Sequence, residues 1–318
     1  MNEFSLLAIW AHPDDESNAA GGTLARYARE GAAVTLVSAT RGEMGVTGLD
    51  PEAAGTVRER ELRAAAAALG AQEVCFLGYR DGELAHADEK QAVAQIVALL
   101  REIKPQVVVT FGPDGISGHP DHITVSRWVT AAFEASAVAQ KLYYVAPSDA
   151  TQQACGVPPP REVLGGPVAA IDVGEDLQAK AQAMRCHISQ SPPEVDAQQL
   201  ECHEYFRLAR SRGGAMLDGT DLFAGVTLPP PLVVKILGVG CARCHALENE
   251  IRLIVERQGL AARVERVEDI DEMMRYRLLS VPGLVINEQL VCAGRVPSRA
   301  ELFRFLQPDS ANCGGVPR

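Results

Sequence analysis

Two short clusters of histidine and carboxylate hold most of the chemistry this sequence could perform. One is Ala11-His12-Pro13-Asp14-Asp15-Glu16, and the other is Gly118-His119-Pro120-Asp121-His122. Imidazole and carboxylate together suit zinc or another divalent ion, and an acid left over beside the metal can act as a base. An Asp ahead of a helix ordinarily caps it. Capping explains one Asp of the first cluster and leaves the His, the second Asp and the Glu unexplained.

The elements around the clusters say how they could meet. The run Leu6-Leu7-Ala8-Ile9-Trp10 reads as a buried strand ahead of the first cluster, and a helix over Ser17–Glu30 follows, ended by Gly31. Val107-Val108-Val109-Thr110-Phe111 is a second such strand, leading through a loop into the second cluster and a helix over Ile123–Ala135. Between them lie strands at Ala33–Ala39 and Val74–Leu77, and helices ending at Leu69 and Ile103, stopped by Gly70 and Pro105. Apolar strands alternating with helices predict an α/β fold, a Rossmann-like, mostly parallel sheet with helices on both faces. In such a sheet the loops after parallel strands open on one edge, where ligands bind. Further along, Tyr143–Gly166 reads as a loop, Ala169–Val173 as a strand, and Glu175–Cys186 and Ala197–Ala209 as helices.

The chain has 318 residues, enough for two domains, and 47% hydrophobic against 22% charged residues is ordinary for a globular protein. A net charge of −11 argues against a nucleic-acid partner. No apolar run approaches the ~20 residues that cross a bilayer, and the amino terminus lacks the basic start of a secretory signal. A cytoplasmic protein is therefore expected, with no membrane partner. Eight cysteines are too few for a disulfide scaffold at this length. Cys186-His187 and Cys202-His203 match no common zinc module, and both cysteines read as helix residues.

With its paired clusters, the first part of the chain resembles the zinc-dependent N-acetylglucosaminyl deacetylases, the PIG-L/LmbE-like family. Thr40-Arg41-Gly42-Glu43-Met44-Gly45, Gly78-Tyr79-Arg80-Asp81-Gly82 and His187-Ile188-Ser189-Gln190 resemble its further segments, so the likeness runs from about Leu6 to Val226. It implies that His12, Asp15 and His122 hold zinc and that Asp14 is the general base. Three protein ligands leave a position for water, as a catalytic zinc requires. A protonated His119 would face the oxyanion formed when an amide is attacked, and Asp121 would orient one of the histidines. Arg58 and Asp81 lie in segments where family members contact sugar hydroxyls. Arg58 could equally be a solvated helix charge, and Glu43 could support the site or cap its own loop.

Pro229-Pro230-Pro231 reads as a stiff spacer. It separates a deacetylase domain, residues 1–228, from a second domain, residues 232–308, with a tail at 309–318. The second domain repeats the alternation as βαβαββα, a thioredoxin-like order. Its Cys241-Ala242-Arg243-Cys244 opens a helix, Val281-Pro282 precedes a strand, and the whole resembles the small redox-active disulfide proteins. Cys241 is the expected nucleophile, acidified by the helix N-terminus and Arg243, with Cys244 as its resolving partner. His245 completes a Cys-x-x-Cys-His pattern, but haem attachment requires export.

The reading that results is a hydrolase removing acetyl from an N-acetylglucosamine-type conjugate in low-molecular-weight thiol metabolism. A dithiol module is attached, with a dithiol or disulfide partner. An amidase acting on thiol S-conjugates, or an oxidoreductase whose first domain only binds a sugar-linked thiol, are the alternatives.

Overall fold

The computed structural model describes residues 4–146, 168–190, 194–212, 218–228, 230–258 and 260–306. They fall into two compact units, one ending at Thr227 and the other beginning at Leu228.

The first unit is built on a seven-stranded sheet in the order β3-β2-β1-β4-β5-β7-β6. Its strands are β1 (Ser5–Trp10), β2 (Ala33–Ser38), β3 (Glu73–Phe76), β4 (Val107–Thr110), β5 (Lys141–Ala146), β6 (Val168–Asp172) and β7 (His203–Ser211). The first five pair in parallel, and β7 runs antiparallel to both β5 and β6. β1 is buried along its whole length, which is why it reads as a continuous apolar run rather than an alternating one. Leu6, Leu7 and Ile9 are fully buried, each worth roughly 1.5–3 kcal/mol. Trp10 meets Phe111 edge-on, with ring centroids 5.0 Å apart.

The helices start and stop for local reasons. They are α1 (Asp15–Arg29), α2 (Pro51–Leu69), α3 (Glu89–Ile103), α4 (Pro120–Ala135) and α5 (Leu177–Cys186). Asp50 caps α2 by accepting from the Ala53 N–H, Pro51 fills the first position, and Gly70 closes it in the left-handed region. Asp88 caps α3, and Lys104 ends it ahead of Pro105. α1 is broken at Ala20, where φ is −148° and ψ 16°. The N–H groups of Gly22 and Thr23, just past the break, donate to the buried Glu204 carboxylate of β7 at 3.0 and 2.8 Å. Lys180 of α5 pairs with that carboxylate at 2.6 Å.

Two expectations fail here. Ala197–Ala209 is not a helix: a short turn over Ala197–Gln199 gives way to β7. Its Glu, Leu, Ala and Arg content favours a helix, but pairing on both edges with β5 and β6 overrides that preference. Cys202 accordingly stands exposed before a strand, while Cys186 is the last residue of α5. The expected loop from Tyr143 is likewise strand as far as Ala146, held between β4 and β7. The remainder of that stretch up to residue 166, and the 309–318 tail, lie outside the described residues.

The second unit holds a four-stranded sheet in the order β11-β10-β8-β9. β8 (Leu232–Leu237) and β9 (Ala262–Val267) are parallel, and β10 (Gly283–Ile286) and β11 (Gln289–Ala293) are antiparallel additions. With helices α6 (Ala242–Arg257), α7 (Ile270–Met274) and α8 (Arg299–Phe305), the order is βαβαββα. The Val281-Pro282 bond is cis. Among the described residues no helix is long and apolar enough to cross a membrane.

Candidate metal centre and dithiol

β1 and β4 are neighbours in the sheet, yet β1 continues to β2 on one side and β4 to β5 on the other. The crevice at their carboxyl ends is the point where strand order reverses, the usual ligand position in such sheets. His12 follows β1 directly, and His122 lies in the first turn of α4, after β4. Residues 110 apart in sequence are thereby brought together, with His12 Nδ1 3.3 Å from His122 Nε2. Asp15 completes the triangle, its Oδ1 3.3 Å from His122 Nε2 and its Oδ2 3.6 Å from His12 Nδ1. Tetrahedral ligands at zinc–nitrogen and zinc–oxygen distances would stand ~3.3 Å apart. The two ring nitrogens stand at that separation, and Asp15 offers one oxygen to each.

The protons on both rings are set from behind. His122 Nδ1 lies 3.1 Å from the Gly115 carbonyl, which can only accept, so Nε2 keeps its lone pair for the site. The ring is stacked on Phe111, with centroids 4.1 Å apart and planes 7° apart. His12 Nε2 donates towards Asp121 Oδ2 at 3.2 Å and Asp81 Oδ1 at 3.1 Å, leaving Nδ1 for the triangle. Burial disfavours charge on His12, yet Asp121, Asp15 and Asp81 together hold its pKa up at about 11. The surroundings thus favour positive charge at this point, and a divalent cation answers the same demand. His12, His119 and His122 also offer atoms within 4.8 Å of one another, as do His12, Asp81 and Asp121. In the second group the carboxylates face the protonated side of the His12 ring, so they support a ligand rather than act as one.

Asp14 has φ 110° and ψ −26°, the left-handed region, and its side chain makes no capping bond to α1. Burial first, and then the charge of Asp15, raise its pKa to about 6 against the opposing pull of Arg58. A carboxylate poised near neutral pH is suited to taking and returning a proton. His119 caps α4, its Nδ1 accepting the Asp121 N–H at 3.2 Å, so the ring proton sits on Nε2. Burial and the neighbouring His12 and His122 lower its pKa. Through its Nε2–H, His119 can donate into the site.

Arg58 is buried, not a solvated helix charge. It donates to the Pro13 carbonyl, to Gly42 O at 3.3 Å, and pairs with Asp14 Oδ2 at 3.2 Å. Room for it depends on glycine: a Cβ on Gly42 or Gly45 would come within 2.3 or 2.2 Å of its Nη1. The Asp81 carboxylate is taken up by His12 and by the Met44 N–H at 3.0 Å. Glu43 accepts from the Asp81 N–H at 3.4 Å, bracing that loop. Asp121 is fully buried and also accepts from Gly82 N–H at 2.8 Å and Leu84 N–H at 3.3 Å. Beside Asp15 and His122 lies a cavity of about 460 Å³, lined among others by Phe111, Ile116, Val145, Met184, Leu200 and Tyr205.

Sequence reasoning passed over Glu16 and His187. Both are buried, and His187 Nε2 lies 2.7 Å from Glu16 Oε1. The signal was present in two segments already noted for other reasons, but nothing in their spacing shows that they touch.

This geometry coincides with a sequence likeness. The family described as GlcNAc-PI de-N-acetylase matches residues 7–133. A 1D-myo-inositol 2-acetamido-2-deoxy-alpha-D-glucopyranoside deacetylase from Rhodococcus jostii is 36% identical over 291 residues, covering 71% of this chain and 99% of that protein. The chain belongs to the PIG-L deacetylase family. A deacetylase of the same description from Streptomyces avermitilis is 37% identical over 287 residues, covering 70% of this chain and 97% of its own. Among solved structures, N,N'-diacetylchitobiose deacetylase from Pyrococcus horikoshii shares the fold at a TM-score of 0.50 and 20% identity, over 64% of this chain and 83% of that one. The family is metal-dependent. A thioredoxin domain family matches residues 232–307.

In that second unit Cys241 stands just ahead of α6 and Cys244 is fully buried in its first turn, with the two sulfurs 3.1 Å apart. Hydrogen bonds from the Cys244 thiol and backbone lower the Cys241 pKa, with Arg243 a smaller contributor, while burial raises that of Cys244. The lowering at Cys241 thus comes chiefly from the Cys244 thiol and backbone.

Proposed function

We propose that the first unit is a zinc-dependent deacetylase that removes acetyl from an N-acetylglucosamine-type conjugate of the kind its relatives are named for. The observation that carries this is the triangle of His12 Nδ1, Asp15 and His122 Nε2, with both rings' protons held on the far side. Zinc held there would polarise the amide carbonyl and make a bound water acidic near neutral pH. Asp14 takes the proton as water adds to the carbonyl carbon. The His119 Nε2–H donates to the oxygen on which negative charge develops. Asp14 then returns its proton to the leaving nitrogen as the carbon–nitrogen bond breaks, giving acetate and the free amine. The cavity beside Asp15 takes the body of the conjugate.

Fusion to a dithiol unit supports a role in low-molecular-weight thiol metabolism. Cys241 attacks a disulfide and Cys244 resolves the mixed disulfide.

The test is acetate release by zinc-loaded protein from 1D-myo-inositol 2-acetamido-2-deoxy-alpha-D-glucopyranoside and other N-acetylglucosaminyl conjugates. Asp14→Asn should keep stoichiometric zinc and lose turnover. Wild-type turnover in that variant would end the assignment of Asp14. Cleavage of thiol S-conjugates, with no acetate from any N-acetylglucosaminyl compound, would make the protein an amidase instead.

A further inference from the structure

Asp14 breaks a local rule. A residue just ahead of a helix ordinarily lies extended and turns its oxygen onto the helix N–H groups. Asp14 instead has φ 110° and makes no side-chain capping bond, a conformation that is strained for a non-glycine residue. The twist turns its carboxylate away from the helix end, so that it is not consumed by capping.

Three contacts hold its backbone. The Asn18 N–H and side chain both donate to the Asp14 carbonyl, at 3.1 and 3.0 Å, and the Asp14 N–H, on the other side, donates to Glu16 Oε2 at 3.0 Å. Glu16 has no exposed surface, and a buried carboxylate is unfavourable unless it is paired. Its second oxygen, Oε1, is met by His187 Nε2 at 2.7 Å and by the Ser17 hydroxyl at 2.5 Å. His187 follows the end of α5, and the turn after it is tied down. Ser189 donates through its N–H and hydroxyl to Glu61 of α2, at 2.7 and 2.5 Å, and Gln190 donates to the Gly45 carbonyl at 3.2 Å.

We propose that Glu16 and His187 form a positioning pair, one carboxylate oxygen fixing the Asp14 backbone and the other anchored by a histidine from α5. Neither touches the reacting atoms; they act through Asp14, and the inference rests on reading Asp14 as the base. Without His187 the Glu16 carboxylate keeps only the Ser17 hydroxyl on Oε1, its grip on the Asp14 N–H loosens, and the backbone is freer to relax towards an ordinary cap.

The experiment compares His187→Ala and His187→Gln in the full-length protein for zinc content, kcat and KM in acetate release. His187→Ala should keep stoichiometric zinc and a KM within about threefold, with kcat lower by about 10²-fold. His187→Gln retains an N–H donor towards Glu16 and should recover roughly a tenfold share of that loss. Wild-type kcat in His187→Ala, or a glutamine variant no better than alanine, overturns the proposal. Loss of zinc in both variants also overturns it, by assigning the pair to the metal scaffold. Should His187→Ala fail to fold, Glu16→Gln decides, and wild-type kcat there is fatal. Asp14→Asn measured alongside separates the two readings. Turnover in Asp14→Asn removes the base itself, whereas an inactive Asp14→Asn beside a fully active His187→Ala removes only the positioning pair.

Discussion

Replacing Asp121 by Asn tests how the metal triangle is held, because the change is nearly isosteric and the contacts are fully enumerated. Oδ2 accepts from His12 Nε2 at 3.2 Å and Gly82 N–H at 2.8 Å, and Oδ1 accepts from Leu84 N–H at 3.3 Å. An amide has one oxygen. Turned towards His12 and Gly82, it points its NH₂ at the Leu84 N–H and leaves a buried donor unpaired, at a cost of about 1–3 kcal/mol. Turned the other way, it forfeits the two better bonds. Even in the favourable orientation the bond to His12 loses its charge assistance, roughly half its strength. Asp81 Oδ1, 3.1 Å from the same nitrogen, retains part of the hold. At 1.4 kcal/mol per factor of ten, zinc affinity should fall about 10–100-fold. Competition against a chromophoric chelator reads that change directly, and turnover at saturating zinc reads what remains after the site is refilled. A zinc Kd within about twofold of wild type would refute the reasoning, since it would mean that the His12 ring does not depend on Asp121.

Gly45→Ala should destabilise the first unit by about 1–3 kcal/mol, because its Cβ would come within 2.2 Å of Arg58 Nη1; thermal unfolding checks it, and an unchanged midpoint would show that Arg58 has room to move. In limiting iodoacetamide at pH 7, Cys241 should be labelled ahead of Cys244. The midpoint of its labelling rate against pH should lie below that of an ordinary thiol, because its pKa is lowered and the thiolate persists to more acidic solution. Peptide mass mapping reads the order, and equal labelling of the two would reduce the second unit to a binding module.

What sequence conveyed was whatever depends on local pattern. β1, β2 and β4 are apolar throughout because both faces are covered, so they are conspicuous as runs, and α2 and α3 announce their ends through Pro51, Gly70 and Pro105. That the two His/Asp clusters meet was legible because the strands carrying them are parallel neighbours, a consequence of topology that the alternation of elements implies. β7 was not legible: Glu204, Phe206 and Leu208 alternate, but their composition suits a helix, and only the edges of β5 and β6 decide the matter. The same holds for the contacts made by Arg58, Asp81, Glu16 and His187. Each is a common residue type whose meaning comes from a partner far away in sequence, and a single sequence carries no sign of that partner. His119 shows the limit in another form, since which of its ring nitrogens can donate into the site is set by the Asp121 backbone N–H.

The placement of the triangle also bears on how the protein is made. His12 and Asp15 leave the ribosome more than a hundred residues ahead of His122, and they offer only two of the three donors. A nascent chain could not assemble the proposed centre until β4 has docked beside β1 and α4 has begun, so metal capture there would follow the pairing of those two strands. Because the donors belong to two separate strand–loop–helix units, a metal bound to them ties those units together and stabilises the folded sheet against the open chain. Withdrawing it would therefore loosen the middle of the sheet and not merely one surface loop.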